Sequence, residues 1–135
     1  MEFASAKDIL GATDVPFEHV YLPALKKHVV VVGMSGKARD SFEASLVVGK
    51  GKARKVNTEN IRAKLAARCL YDKPPAEAGQ RLFSDDQADA IGNVRADVLA
   101  PIFDVAQKLS GISDEDIEEL GNASAKTDST TSSSN

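Results

Sequence analysis

The sequence predicts a mainly α domain with a small N-terminal β-hairpin, an α+β arrangement followed by a disordered tail. Three observations predict it. Apolar residues recur every four positions along most of the chain from Ser35 onward, the spacing that puts side chains on one helix face. A single alternating and β-branched segment lies near the start, at 16–33. After residue 121 only Ala, Ser, Thr, Lys, Asp and Asn occur, too little apolar surface to order a chain. The 135 residues are 42% hydrophobic and 27% charged, which suits one packed domain over 1–121 and a Ser/Thr-rich tail over 122–135. Aromatics are 5% with no Trp, so the core is expected to be aliphatic.

Each element follows in order. Ser5 with Asp8 three residues on forms a capping-box pattern for a short helix to Leu10. Phe17, His19 and Tyr21 alternate with Glu18, Val20 and Leu22, and Val29–Val32 follow after Pro23, which predicts a hairpin over about 16–33 ended by Gly33. Ser35 opens a helix expected over 35–48, with Ala38, Phe42 and Leu46 on one face and the Gly49-Lys50-Gly51-Lys52 loop beyond. A helix over 58–71 carries Ile61, Leu65 and Cys69 as its stripe, bordered by Arg62, Lys64 and Arg68. Pro74, Pro75 and Gly79 mark a loop. Ser84 with Gln87 caps a helical stretch over 84–110 whose stripe is Val94, Val98, Ile102, Val105 and Leu109. Pro101 either kinks that helix or sits in the first turn of a second one. Gly111 stops it, and Ser113 starts a last helix over 113–121, with Ile112 and Ile117 as staple partners.

The net charge of −3 is unevenly spread: residues 50–73 carry +6 and residues 84–135 carry −8. Such zones either fold together or attract further copies and charged partners. The longest apolar run, Val29–Val32, is far short of the roughly 18 residues of a membrane span. Met1–Ser5 lacks the basic start and apolar stretch of a secretory signal, and the single cysteine cannot form an intrachain disulfide. These features lead to the expectation of a cytoplasmic protein without membrane contact.

Several catalytic motifs nearly occur and fail where the chemistry needs them. Gly33-Met34-Ser35-Gly36-Lys37 has Lys in place of the last glycine of a nucleophile elbow. Gly51-Lys52-Ala53 lacks the Ser/Thr of a phosphate loop, and Gly49-Lys50-Gly51 meets Arg54 where a dinucleotide fingerprint needs its third glycine. His19 and His28 lack a third ligand for zinc, and Cys69 lies on an apolar stripe, where a thiol is inert. The residues therefore predict no enzyme, no metal and no cofactor. Lys50, Lys52, Arg54, Lys55, Arg62, Lys64 and Arg68 form the candidate partner-binding set. They suit an acidic protein surface better than nucleic acid, because no aromatic for base stacking occurs among them before Tyr71.

Four stretches go further: Met34–Ala44 (MSGKARDSFEA), Asn60–Leu65 (NIRAKL), Arg81–Asp85 (RLFSD) and Ala106–Ser113 (AQKLSGIS). In this order and spacing the chain resembles the tail assembly chaperones of long-tailed, siphovirus-type bacteriophages, from about Met34 to Gly121. It departs from them at Ser110, where Asn is expected, and in the inserted Pro74–Ala78. The resemblance implies a non-enzymatic protein that binds the tape measure protein, keeps it soluble and helps recruit the tail tube protein. It also implies a location in the cytoplasm of the infected host, absence from the mature virion, and a longer version made by frameshifting, with Asp128–Asn135 ending the shorter one. The other readings are a minor structural tail or connector protein, and a small nucleic-acid-binding protein using the 50–68 basic segment.

Overall fold

The alternating segment and the helical periods resolve into a small sheet backed by helices. The computed structural model describes residues 1–122. Helix α1 (Ala6–Leu10) is closed by the full Ser5/Asp8 capping box and buries nothing. Strands β1 (Phe17–Leu22) and β2 (Lys27–Val32) pair antiparallel from Phe17 opposite Val32 to Leu22 opposite Lys27. The turn between them passes through Lys26 at φ +54°. Val20, Leu22 and Val31 face inward to the core.

Helix α2 (Gly36–Ser45) starts at Ser35, whose hydroxyl accepts the Ala38 N–H at 3.1 Å, and buries Phe42. It is shorter than the expected 35–48. Leu46 caps it, and Val47–Val48 (β3) pair instead with Lys55–Val56 (β4) in a second small ladder. The β-branched pair and Gly49 explain the change. Gly49 sits at φ +85°, where a Cβ would lie 2.3 Å from the Ala53 carbonyl oxygen.

Helix α3 occupies Ile61–Cys69 rather than 58–71. It starts late because Asn60 is left-handed at φ 59° and ψ 25°, with its Nδ2 donating to the Ala88 carbonyl at 3.1 Å. It stops early because Leu70–Tyr71 (β5) extend and pair with Val31 and Val30, completing a sheet of order β1-β2-β5. Leu65 and Cys69 are buried as the spacing predicts, and Ile61 is half-buried; Ala63, Ala66 and Ala67 are buried as well, so α3 is sunk into the core on most sides.

The stretch 84–110 is broken. The Ser84/Gln87 capping box is present and opens a single 3₁₀ turn, Asp85–Gln87. Helices α4 (Ala88–Gly92) and α5 (Ala96–Ser110) follow. The break falls at 93–95, after Gly92 and at Asn93, both weak helix formers, while Pro101 lies inside α5. Pro101 therefore does not sit in the first turn of a second helix, being the sixth residue of α5. The buried face of α5 is also rotated from the expected stripe: Val98, Ile102, Phe103, Ala106, Gln107 and Ser110 point inward, Val105 and Leu109 flank them, and Val94 is 42% exposed. Gly111 closes α5 at φ +70°, and the Ile112 N–H returns to the Gln107 carbonyl at 3.0 Å. Helix α6 runs from 114 to 122. Ser113 caps it by exchanging hydrogen bonds with Asp116, while Ile112 is buried and Ile117 packs on the core. The tail expected over 122–135 lies, from residue 123, outside the described residues.

Helix α5 backs β1 and β2, and α3 packs between α4 and α5. The join is tight: a Cβ on Gly33 would lie 2.5 Å from the Leu109 carbonyl oxygen, so the end of β2 touches the backbone of α5. Among the described residues no helix is long and apolar enough to cross a membrane.

Candidate functional site

The seven basic residues predicted from the sequence do not form one surface. Lys50, Lys52, Arg54 and Lys55 cluster at the β3–β4 hairpin, all exposed and without an ion pair to any described residue. The three on α3 are committed differently. The Arg62 guanidinium lies 5.1 Å from the centre of the Phe103 ring, a cation–π contact to α5. The Arg68 side chain is 15% exposed, with Nε 2.9 Å from Asp85 and Nη1 donating to the Ser41 hydroxyl at 3.3 Å. Lys64 is half-buried and lines an open polar cleft of about 580 Å³ with Asn57, Glu59, Asn60, Asp89 and Asn93.

Arg68 belongs to a structural knot. Arg81 donates from Nε and Nη2 to the Ala67 carbonyl near the C-terminal end of α3, at 3.1 and 2.7 Å, and from Nη2 to Asp85. Burial pulls the Asp85 carboxyl upward. The hydrogen bond from Arg81 and the charges of Arg68 and Arg81 outweigh that, and the group ends below the usual carboxylate range. This ion pair also ties the basic segment to the acidic one within the chain.

The surface that sequence reasoning missed is the outer face of the three-stranded sheet. Strand alternation sends Phe17, His19 and Tyr21 to the side opposite Val20, Leu22 and Val31, together with His28, the half-buried Tyr71, and Val30 and Val32, which are themselves buried. Phe17 is 43% exposed, Tyr21 49% and Leu82 46%. His19, His28, Val30, Tyr71, Asp72 and Leu82 line a shallow depression of about 590 Å³ on this face. The Tyr21 and His28 rings meet at a tilt of 52° with centres 4.9 Å apart, and Phe17 and His19 lie 6.0 Å apart. The signal was the alternation itself. It fixed that these rings share a face but not which face looks outward.

The remaining candidates take structural places. His19 and His28 share the outer face, but among the described residues no group of three or more His, Cys, Asp or Glu could hold a metal ion. Cys69 is buried, its Sγ 3.9 Å from the Ser110 hydroxyl, and burial pushes its thiol up to about 11, which leaves it protonated at neutral pH. Ser35 is a helix cap, and Gly51–Ala53 is a 3₁₀ turn. Comparisons of the chain with protein-family models, with curated proteins and with solved structures return no match.

Proposed function

We propose that this chain is a tail assembly chaperone of a long-tailed bacteriophage, which binds the tape measure protein and keeps it soluble while the tail tube protein assembles. The observation that carries this reading is the set of exposed apolar side chains Phe17, Tyr21 and Leu82 on the outer side of the sheet, a surface of the kind that holds an aggregation-prone client. The ordered succession of the Met34–Ala44, Asn60–Leu65, Arg81–Asp85 and Ala106–Ser113 segments supports it. The protein then acts in the cytoplasm of the infected host without catalysis or a cofactor, is left out of the mature virion, and shares its N-terminal sequence with a longer frameshifted version. The α3 charges are poor candidates for the client contact, because Arg62 and Arg68 already have partners within the fold.

The test is co-expression with the tape measure protein and measurement of the client's soluble fraction. Wild type raises it. His28→Asp with Leu82→Asp, two substitutions at exposed positions of the outer face, abolishes the gain while the melting curve stays unchanged. A wild type that never keeps the client soluble sinks the chaperone assignment. A second reading rests on the exposed cations Lys50, Lys52, Arg54 and Lys55 at one hairpin, which suit a phosphate backbone. Oligonucleotide binding that weakens steeply with salt and is lost on reversing those four charges favours it.

A further inference from the structure

The three-stranded sheet has one open edge. Beyond β5, the Leu82 N–H donates to the Leu70 carbonyl at 2.9 Å and the Asp72 N–H to the Gln80 carbonyl at 3.1 Å, so that side is covered. On β1, the Gly33 N–H donates to the Pro16 carbonyl at 2.8 Å. That bond sets the parity of the ladder. Pairs 18/31, 20/29 and 22/27 exchange the hydrogen bonds with β2, and the main-chain groups of Phe17, His19 and Tyr21 point away from it. None of those outward groups bonds to a described residue. The strand runs six residues with no proline and no lysine, and its one charge, Glu18, is paired with Lys108 of the same chain at 2.7 Å.

We propose that this edge is an interface between two copies of the chain, the second copy laying its β1 antiparallel against the first about a two-fold axis at His19. The parity selects the register. Only residues 17, 19 and 21 offer outward bonds, and centring on His19 is the alignment that uses all three in both copies. Phe17 then lies opposite the second copy's Tyr21, twice over, on the outer face. Aromatic cross-strand pairs of this kind add to the ladder hydrogen bonds. The same register carries Asp14 of each copy toward the turn that holds Lys26 and Lys27 of the other, so opposite charges meet at both ends. The product is a closed dimer with a continuous six-stranded sheet, because the contact is isologous and consumes both free edges. This inference does not rest on the chaperone reading.

Sedimentation across a concentration series, at low and high salt, tests it with the full chain. The expected result is a mass that doubles, stops there, and persists in salt, since main-chain bonds carry the contact. His19→Pro removes an outward N–H without touching the β2 ladder and leaves a monomer. Single cysteines read the register independently of that variant's folding. In His19→Cys the two thiols face each other across a hydrogen-bonded pair with Cα atoms about 5.5 Å apart, inside the disulfide range. In Tyr21→Cys they stand roughly 14 Å apart. Oxidation should therefore yield a covalent dimer from the first and almost none from the second. A wild type that stays monomeric, a mass that climbs past the dimer and disperses in salt, or equal cross-linking at both positions overturns the proposal.

Discussion

Ser110 shows how much of this fold hangs on a few polar atoms. Its hydroxyl accepts the Met34 N–H at 3.2 Å, joining the segment after β2 to the end of α5, and the residue is 7% exposed. Ser110→Ala leaves a part-buried amide without its partner, which costs about 1–3 kcal/mol, and urea unfolding should show the unfolding free energy fall by that amount, with a lower midpoint. Asp85 makes a prediction in pH. Its folded pKa lies below its unfolded value, so its contribution is complete above the ordinary carboxylate value near ~4 and fades as pH falls from there through the depressed one. Thermal melts of wild type and Asp85→Asn should converge toward the acid end of that window, the variant having lost the contribution at neutral pH already. The side chain is 55% exposed, so solvent screening keeps the effect modest. Single residues were also where sequence reading reached furthest. The caps at Ser5, Ser35, Ser84 and Ser113 all formed, because capping is decided within four residues.

Elements were legible in kind and less so in extent. The hairpin pairs within the expected 16–33, while α2 and α3 each give up an end to a short strand. A strand of two residues needs a distant partner, and nothing local to Leu70–Tyr71 announces Val30 and Val31. The face of α5 was misread for the same reason: Val105 and Leu109 are as apolar as Val98 and Ile102, and only packing against β1, β2 and α3 chooses between them. The partner-binding set suffered likewise, since the sequence cannot reveal that Asp85 and Phe103 engage Arg68 and Arg62. Asn60 gives the element-scale test. It holds a left-handed conformation and bonds to Ala88, and a Cβ on Gly92 would come within 2.6 Å of its Oδ1. Asn60→Ala loses the bond and strains the backbone, for about 1–3 kcal/mol, whereas Asn60→Gly keeps the backbone relaxed and loses less. Chemical denaturation of both variants should rank them in that order.

At the scale of the molecule, strand β2 is the hub. It is paired on one side to β1 and on the other to β5, and α5 lies across it, so Val31 is fully excluded from solvent. Long-range ties repeat the pattern: Lys108 Nζ reaches Glu18 at 2.7 Å, and Arg39 donates to the Gly111 carbonyl at 3.0 Å and sits 3.6 Å from Asp116. The partners of residues 17–39 thus come from late in the chain. During synthesis the hairpin leaves the ribosome with Val20, Leu22 and Val31 bare. It gains its third strand only when Tyr71 is out, and its cover only when Ser110 has followed. A polypeptide stopped after Gly92 should accordingly be an insoluble fragment rather than a smaller domain, which fractionation of a truncated product would show directly. The first third of this protein is made as a debt to the last, and every ribosome translating it carries an unfinished, sticky sheet for the time that about eighty codons take to read.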